Sequence, residues 1–392
     1  MNGEKRIPLS VPNFSGNELK YVTQAVGTEW VSTGGEYITQ FEKNIADYVG
    51  VKNAVACQSG TAGLHTALIL CGVCSGQEVL VPALTFIAAV NPVKYVGADP
   101  LFMDCDDSLC MDPVKLRKFC EDECVFEGGV LKRKGSDKRV STIIVVHVFG
   151  NMADMESIME IADAYNLKVI EDATEALGTY YVQGKYKGCY AGTIGDVGVY
   201  SFNGNKIITT GGGGMIVSRN EELLKKAKHL TTQAKSDELY YEHDEIGYNY
   251  RMTNLQAALG VAQLEQLEDF VETKTKNYNY YGMRLDNCKD YDLLKVRDGI
   301  RSNYWFYSLY CTNADAKHRD ELIKFFNDNG VQVRPIWGLI SEQKPYSDCY
   351  SYKIEKAKDY RKKVINIPCS TNLTYAEIDK VMSVLNQYES MG

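Results

Sequence analysis

TIIVVHVFGNMADMESIMEIADAYNLKVIEDATE, residues 142–175, holds two apolar runs of strand length separated by one helical pattern. Residues 142–149 are apolar almost without interruption, and residues 168–172 repeat that character before ending on acids. Between them, residues 155–165 carry apolar side chains three and four apart, the spacing that lines one face of a helix. Strand, helix and strand in this order are the unit of a parallel sheet covered on both faces. Working outward, further strand-length runs lie at 53–57, 78–82, 100–105, 197–202 and 214–218, with helical patterns at 63–70 and 111–124. The expected fold is therefore α/β, a mostly parallel seven-stranded sheet flanked by helices. Residues 125–140 are rich in Gly and Lys, lack periodicity, and read as a surface loop.

From Thr253 a long helical pattern leads out of this unit. A Tyr-rich strand pattern follows at 303–312, then a helix at 316–329, a strand at 331–335 and a closing helix at 375–388. Thr374 is its expected N-cap, with Glu377 completing a capping box. The expectation is a large domain over 1–262 and a smaller α+β domain over 263–392, with the leader 1–13 packed on the latter.

Composition narrows the function. The 392 residues carry 43 basic and 51 acidic side chains, a net charge of −8, with no basic block dense enough to follow a nucleic-acid backbone. Hydrophobic residues make up 45% and charged ones 24%, which speaks against a disordered or fibrous chain. The start of the chain has no apolar signal segment, and the apolar run at 143–149 is too short to span a bilayer, so a soluble cytoplasmic protein is expected. Twelve cysteines scattered through periodic segments suit reduced thiols better than a disulfide framework. Cys71 and Cys74 form a lone C-x-x-C pair without a second pair or a neighbouring His, which disfavours zinc or redox chemistry.

In an open α/β sheet, ligands bind at the carboxyl ends of strands, so polar residues just after the apolar runs are the candidates. Residues 58–62, QSGTA, open a helix after a strand and suit either a phosphate or a plain N-cap. Glu171, Asp172 and Glu175 end another strand, where a carboxylate can pair with a protonated heteroaromatic nitrogen or cap a helix. Lys206 sits between the Asn203-Gly204 turn and the glycine run 211–214, a shielded setting that suits a Schiff-base amine, although a lone Lys is more often a surface charge. The run is no Walker loop, and Gly192, Gly195 and Gly198 have the wrong spacing for a dinucleotide fingerprint. Asn249 and Arg251 precede the long helix, where Arg251 could grip an anion or form a salt bridge. His147, inside an apolar strand, reads as a buried hydrogen-bonded histidine.

Taken in order, these clusters resemble the DegT/DnrJ/EryC1/StrS family of sugar aminotransferases, pyridoxal phosphate enzymes of the type I fold. The resemblance runs from Trp30-Val-Ser-Thr-Gly34 through Ser59-Gly-Thr61, Pro82-Ala-Leu-Thr-Phe86, Asp172, Ser201 and Lys206 to Asn249-x-Arg251 and Arg334-Pro-x-Trp337. It implies that Lys206 bonds the cofactor and moves the substrate proton, while Asp172 pairs with the pyridinium nitrogen. It further implies that Ser201 and the backbone of Gly60 and Thr61 hold the phosphate, that Phe86 stacks on the ring, and that Asn249 reaches in from the second subunit of a homodimer. Glu175 stands near the ring hydroxyl where many members have Gln or His. Arg251, Arg334, Trp337 and Trp30 are the candidates for substrate contact.

Members that dehydrate sugars carry His where this chain has Lys206, so transamination is implied. Residues 202–214 and 333–345 look most like the branch that aminates C4 of a UDP-linked 4-keto-6-deoxy-N-acetylhexosamine, with L-glutamate as donor, for legionaminic acid or related glycans. Ser341 stands where many relatives have His. The alternatives are another GDP- or dTDP-linked keto sugar, aminated at C3 or C4, and a non-catalytic pyridoxal phosphate or sugar sensor. Such sensors usually carry a fused DNA-binding segment, for which the short leader before residue 53 leaves no room.

Overall fold

All seven apolar runs are strands in the computed structural model, which describes residues 6–237, 239–286 and 288–391. They are β1 (Ala54–Cys57), β2 (Glu78–Pro82), β3 (Asp99–Met103), β4 (Arg139–Val146), β5 (Lys168–Asp172), β6 (Val197–Ser201) and β7 (Gly214–Val217). Their order across the sheet is β1-β7-β6-β5-β4-β2-β3. Pairings from β3 through β2, β4 and β5 to β6 are parallel, whereas β7 runs antiparallel to both β6 and β1. Two reversals restore direction, so β1 points the same way as β6. The carboxyl ends of β1, β2, β4, β5 and β6 consequently open on one edge of the sheet. Helices cover both faces, and the strands are buried along nearly their whole length, which is why they read as continuous apolar runs.

The stretch 125–140 departs from the expected loop. Cys124–Glu127 and Val130–Arg133 form an antiparallel hairpin that pairs with the start of β4. Gly128 and Gly129, at φ of 59° and 76°, supply the left-handed turn a two-residue hairpin loop needs. Its strands alternate weakly because they lie at a solvated edge, so their period was hidden by charged side chains. One of those charges is structural: Arg133 donates from Nε and Nη2 to the buried Glu78 carboxylate, at 3.1 and 2.7 Å.

The long helical pattern divides into Asn254–Leu264 and Leu267–Leu285. Thr253 and Gln256 form a reciprocal capping box at the start of the first. Beyond it lies a second, wholly antiparallel sheet in the order β8-β9-β11-β10, from β8 (Tyr291–Leu293), β9 (Tyr307–Cys311), β10 (Arg334–Pro335) and β11 (Val364–Ile367). Strand 303–312 is shorter than expected because Tyr304 takes a left-handed φ of 49°. Strand 331–335 shrinks to two residues, and Val331 bridges Ile7 instead. The closing helix is Tyr375–Glu389, with the Thr374 and Glu377 capping box in place.

Two apolar clusters fill the molecule. One lies about the large sheet, and the other gathers Tyr281, Tyr307 and Phe326 with Ile7. The leader is stitched beside the second: Gln332 donates to the Ile7 carbonyl at 2.9 Å, and Cys369 donates to the Leu9 carbonyl at 2.8 Å. The chain later returns to the large sheet, where Ser351–Tyr352 adds parallel to β3. Buried Asp104 accepts from the N–H groups of Glu355, Lys356 and Ala357, pinning that return. All twelve cysteines are free, and burial pushes the Cys71 thiol up to about 12, far from a reactive thiolate. Among the described residues no helix is long and apolar enough to cross a membrane.

Candidate active site

Three strand ends and one turn meet in a cavity of about 350 Å³. Gly60, Thr61, Phe86, Asp172, Glu175, Ser201, Lys206 and Trp337 all line it, together with Thr174 and Trp305. Eight of the residues singled out in the sequence are therefore brought together from segments more than 270 positions apart.

At one end, β1 feeds the helix Gly60–Leu70. Its N-cap Ser59 accepts from the Ala62 N–H at 3.1 Å. The N–H groups of Gly60 and Thr61 belong to the first turn, which has no acceptors within its own helix. They and the positive end of the helix dipole suit an anion. Glycine is required here by close approach. A Cβ on Gly60 would stand 3.0 Å from the Ser201 side chain, and one on Gly214 would stand 2.7 Å from the Ser59 backbone. Removing side chains brings Ser201, the helix terminus and β7 into one concave surface.

At the other end, β5 delivers Asp172, which is 3% exposed. Its Oδ1 accepts from the Thr174 N–H at 3.1 Å. Burial raises this carboxyl above its ordinary value against the pull of that hydrogen bond and of the Lys206 charge. Glu175 is also buried, and burial pushes it up to about 7, opposed by the Lys206 charge. Glu175 Oε2 accepts from the Phe149 N–H at 2.8 Å, and Oε1 lies 3.5 Å from the Lys206 ammonium. Phe149 holds a left-handed φ of 57°, which aims its N–H at the acid, and its ring packs 4.6 Å from Trp337 between centroids.

Lys206 follows β6 on a tight turn, in which its N–H donates to the Asn203 carbonyl at 3.0 Å. The ammonium lies 4.1 Å from the centroid of the Trp305 ring. His147 stands behind the site as expected of a buried histidine. Ala153 N–H donates to its Nδ1, so Nε2 carries the proton and faces Glu171 Oε2 at 2.9 Å.

Four expected contacts lie outside the lining of this cavity. Arg251 is committed elsewhere: its guanidinium pairs with Glu42 and donates to the Ala56 carbonyl at 3.2 Å. Within the chain this is the salt bridge that the sequence also allowed, with the Glu42 carboxylate neutralising the guanidinium. Arg334 is exposed on β10, and Trp30 is 62% exposed with its carbonyl accepting from Asn254 Nδ2 at 2.6 Å. Asn249 is exposed in a backbone bridge to Thr232. The sequence does not announce Thr174 and Phe149, which act through their backbone N–H groups, or Asn303, whose side-chain amide donates to the carbonyls of Glu175 and Leu177, more than 120 positions earlier.

The donor set fits one kind of cofactor. A phosphate matches the helix terminus and Ser201, an amine-reactive carbonyl matches Lys206, and a protonated ring nitrogen would relieve the buried Asp172. The fold and this site define a pyridoxal phosphate-dependent transferase of the type I fold. Residues 12–386 match the DegT/DnrJ/EryC1/StrS aminotransferase family, and the chain belongs to it. It is 36% identical over 389 residues to a GDP-perosamine synthase of Caulobacter vibrioides, covering 99% of both chains. It is 28% identical over 382 residues to a UDP-4-amino-4,6-dideoxy-N-acetyl-beta-L-altrosamine transaminase of Campylobacter jejuni, covering 97% of this chain and 96% of that one. Among solved structures, the PLP form of the putative sugar aminotransferase Spr1654 from Streptococcus pneumoniae superposes with a TM-score of 0.88 at 22% identity, covering 98% and 99% of the two chains. The protein is thus a sugar aminotransferase that uses pyridoxal phosphate.

Proposed function

We propose that the chain transfers the amino group of L-glutamate to C4 of a UDP-linked 4-keto-6-deoxy-N-acetylhexosamine, in the synthesis of legionaminic acid or a related surface glycan. The observation that carries the chemistry is the meeting of Lys206, Asp172 and a helix terminus around one cavity. The cofactor, when bound, supplies an electron sink for the carbon that bears the amine. The chain's own residues do the rest. Lys206 takes and returns the proton at that carbon. Asp172 offers a buried negative charge to the ring nitrogen, and Ser201 with the Gly60 and Thr61 amides orients the phosphate. Phe86 covers one side of the cavity, and Trp337 stands beside it, 6.4 Å away between ring centroids.

The UDP-sugar assignment is supported by residues 202–214 and 333–345, whose sequence resembles that branch. A GDP-linked 4-keto-6-deoxyhexose is the second reading, favoured by the higher identity to a GDP-perosamine synthase. We also read the active unit as a homodimer. Asn249, exposed on one copy, would complete the cavity of the other, and the boundary near residue 262 would separate the cofactor-binding part from the smaller one. Turnover with glutamate should be compared for UDP- and GDP-linked 4-keto-6-deoxy sugars by mass spectrometry of the amino sugar. A kcat/KM at least tenfold higher for the UDP substrate is expected, and the reverse order overturns the nucleotide assignment.

A further inference from the structure

We propose that Trp305 is a positioning residue for Lys206, holding the free amine on its indole face and fixing the turn that carries it. The inference rests on the reading of Lys206 as the lysine that bonds the cofactor. Lys206 emerges from a turn after β6, where nothing in regular secondary structure fixes it. Two contacts from a segment a hundred positions later do so. The Trp305 Nε1–H donates to the Asn205 carbonyl at 2.7 Å, clamping the residue next to the lysine. The ring itself lies under the ammonium, with Nζ 4.1 Å from its centroid. Lys206 and Trp305 are both largely shielded from water, with the Lys206 side chain 12% exposed and Trp305 4%. Shielding strengthens the attraction of a cation for an aromatic face.

Trp305 is held in turn. Its backbone N–H donates to Asn303 Oδ1 at 2.9 Å, and Asn303 Nδ2 donates to the carbonyls of Glu175 and Leu177 at 3.0 and 2.9 Å. A Cβ at Gly150 would fall 1.9 Å from Asn303 Oδ1 and 2.9 Å from the Trp305 nitrogen, so the segment docks only against glycine. One asparagine thereby sets both walls of the amine's resting place, the indole and the Glu175 loop. A transaminase lysine is released from the cofactor in one half-reaction and re-bonds it in the other, and a fixed resting place for the free amine between the two would favour its return.

The test compares Trp305→Phe, which keeps a ring face and loses the N–H, with Trp305→Met and Trp305→Leu, which fill the space without a ring. Cofactor-free proteins are mixed with pyridoxal phosphate and quenched over time with borohydride. Peptide mass spectrometry then gives the rate at which Lys206 is labelled. The reloaded proteins supply kcat and KM for glutamate, and melting temperatures identify any variant that fails to fold. Labelling rate and kcat are expected to fall about tenfold in the Met and Leu variants, with Phe within about threefold of the native protein and KM for glutamate little changed. Equal rates in the ring and non-ring variants, or native rates in both, overturn the proposal. Labelling of the native protein at a lysine other than Lys206 overturns the underlying reading of Lys206 itself.

Discussion

Replacing Glu175 by Gln should stabilise the cofactor-free protein, increasingly so as pH rises. Glu175 is 4% exposed, and burial moves its carboxyl from 4.5 to about 7. A folded-state value above the unfolded one means that the native chain binds this proton more tightly. The group therefore costs nothing below about pH 4.5, and stability is lost as pH climbs through 7. At 1.36 kcal/mol per pH unit the penalty grows by about 2–3 kcal/mol between pH 5 and pH 8.5. Glutamine keeps the shape and carries no such proton. With unfolding entropy near 2.1 cal/mol/K per residue, that energy corresponds to about 3 °C for a chain of this length. Calorimetry of both cofactor-free proteins across that pH range checks it. The variant's melting point should overtake the native one by about 3 °C from the acid to the alkaline end. A constant offset across the range would falsify the assignment of a raised carboxyl to Glu175.

Lys206→Ala should abolish turnover and covalent cofactor attachment while leaving the fold intact, checked by activity, absorbance and melting; normal turnover would remove Lys206 from the chemistry. Asp172→Asn should retain the cofactor but lower kcat by about 10²-fold or more, because the proton transfer it supports loses its electrostatic anchor; an unchanged kcat in the loaded variant defeats that role. Arg251→Met leaves Glu42 only the Ala56 N–H and the half-exposed Lys228 ammonium 3.8 Å away and should cost about 3 kcal/mol, with part of the loss recovered in the Glu42→Met, Arg251→Met double variant, where the Ala56 N–H loses its acceptor. If that stable double variant instead shows a KM for the sugar raised tenfold, Arg251 does contact substrate.

Much of the architecture was legible because burial on both faces leaves a plain mark. Strands such as 143–146 and 197–200 read as unbroken apolar runs, and the acids of 171–175 stand out just past one of them. The hairpin of 124–133 was illegible for the converse reason. It lies at an edge, so charged residues replace alternation, and its Gly128-Gly129 turn looks like loop composition. Lys206 and Asp172, singled out in the sequence because the chemistry proposed for them demands those residue types, do meet in one cavity. The site was illegible where partners are distant in sequence. Nothing local to Arg251 reveals that Glu42, 209 positions earlier, neutralises it, and nothing near Asn205 reveals that the Trp305 indole caps its carbonyl.

Glu171 and Asp172 show how far register decides function. The two acids are consecutive on β5, both almost fully buried, and by composition interchangeable. Strand geometry sends them to opposite faces. Glu171 meets His147 and the N–H groups of Gly192, Ile194 and Gly195, at 2.6–2.9 Å. Burial alone would raise its carboxyl, but the His147 hydrogen bond and these amides outweigh it and hold it below the ordinary value. Asp172 meets one amide, from Thr174, and burial wins, so its carboxyl is raised. The first acid is satisfied by the protein. It adds stability above the ordinary carboxylate range, and that stability is lost as pH falls through its lowered value. The second is left short of donors at the mouth of a cavity, and a protonated ring nitrogen is the partner that would satisfy it. A one-residue slip of β5 that carried Glu171 to the place of Asp172 would put Ile170 at the place of Glu171, leaving His147 and three amides facing an apolar side chain. The register that keeps β5 paired with β4 and β6 therefore decides which of the two acids reaches the cavity.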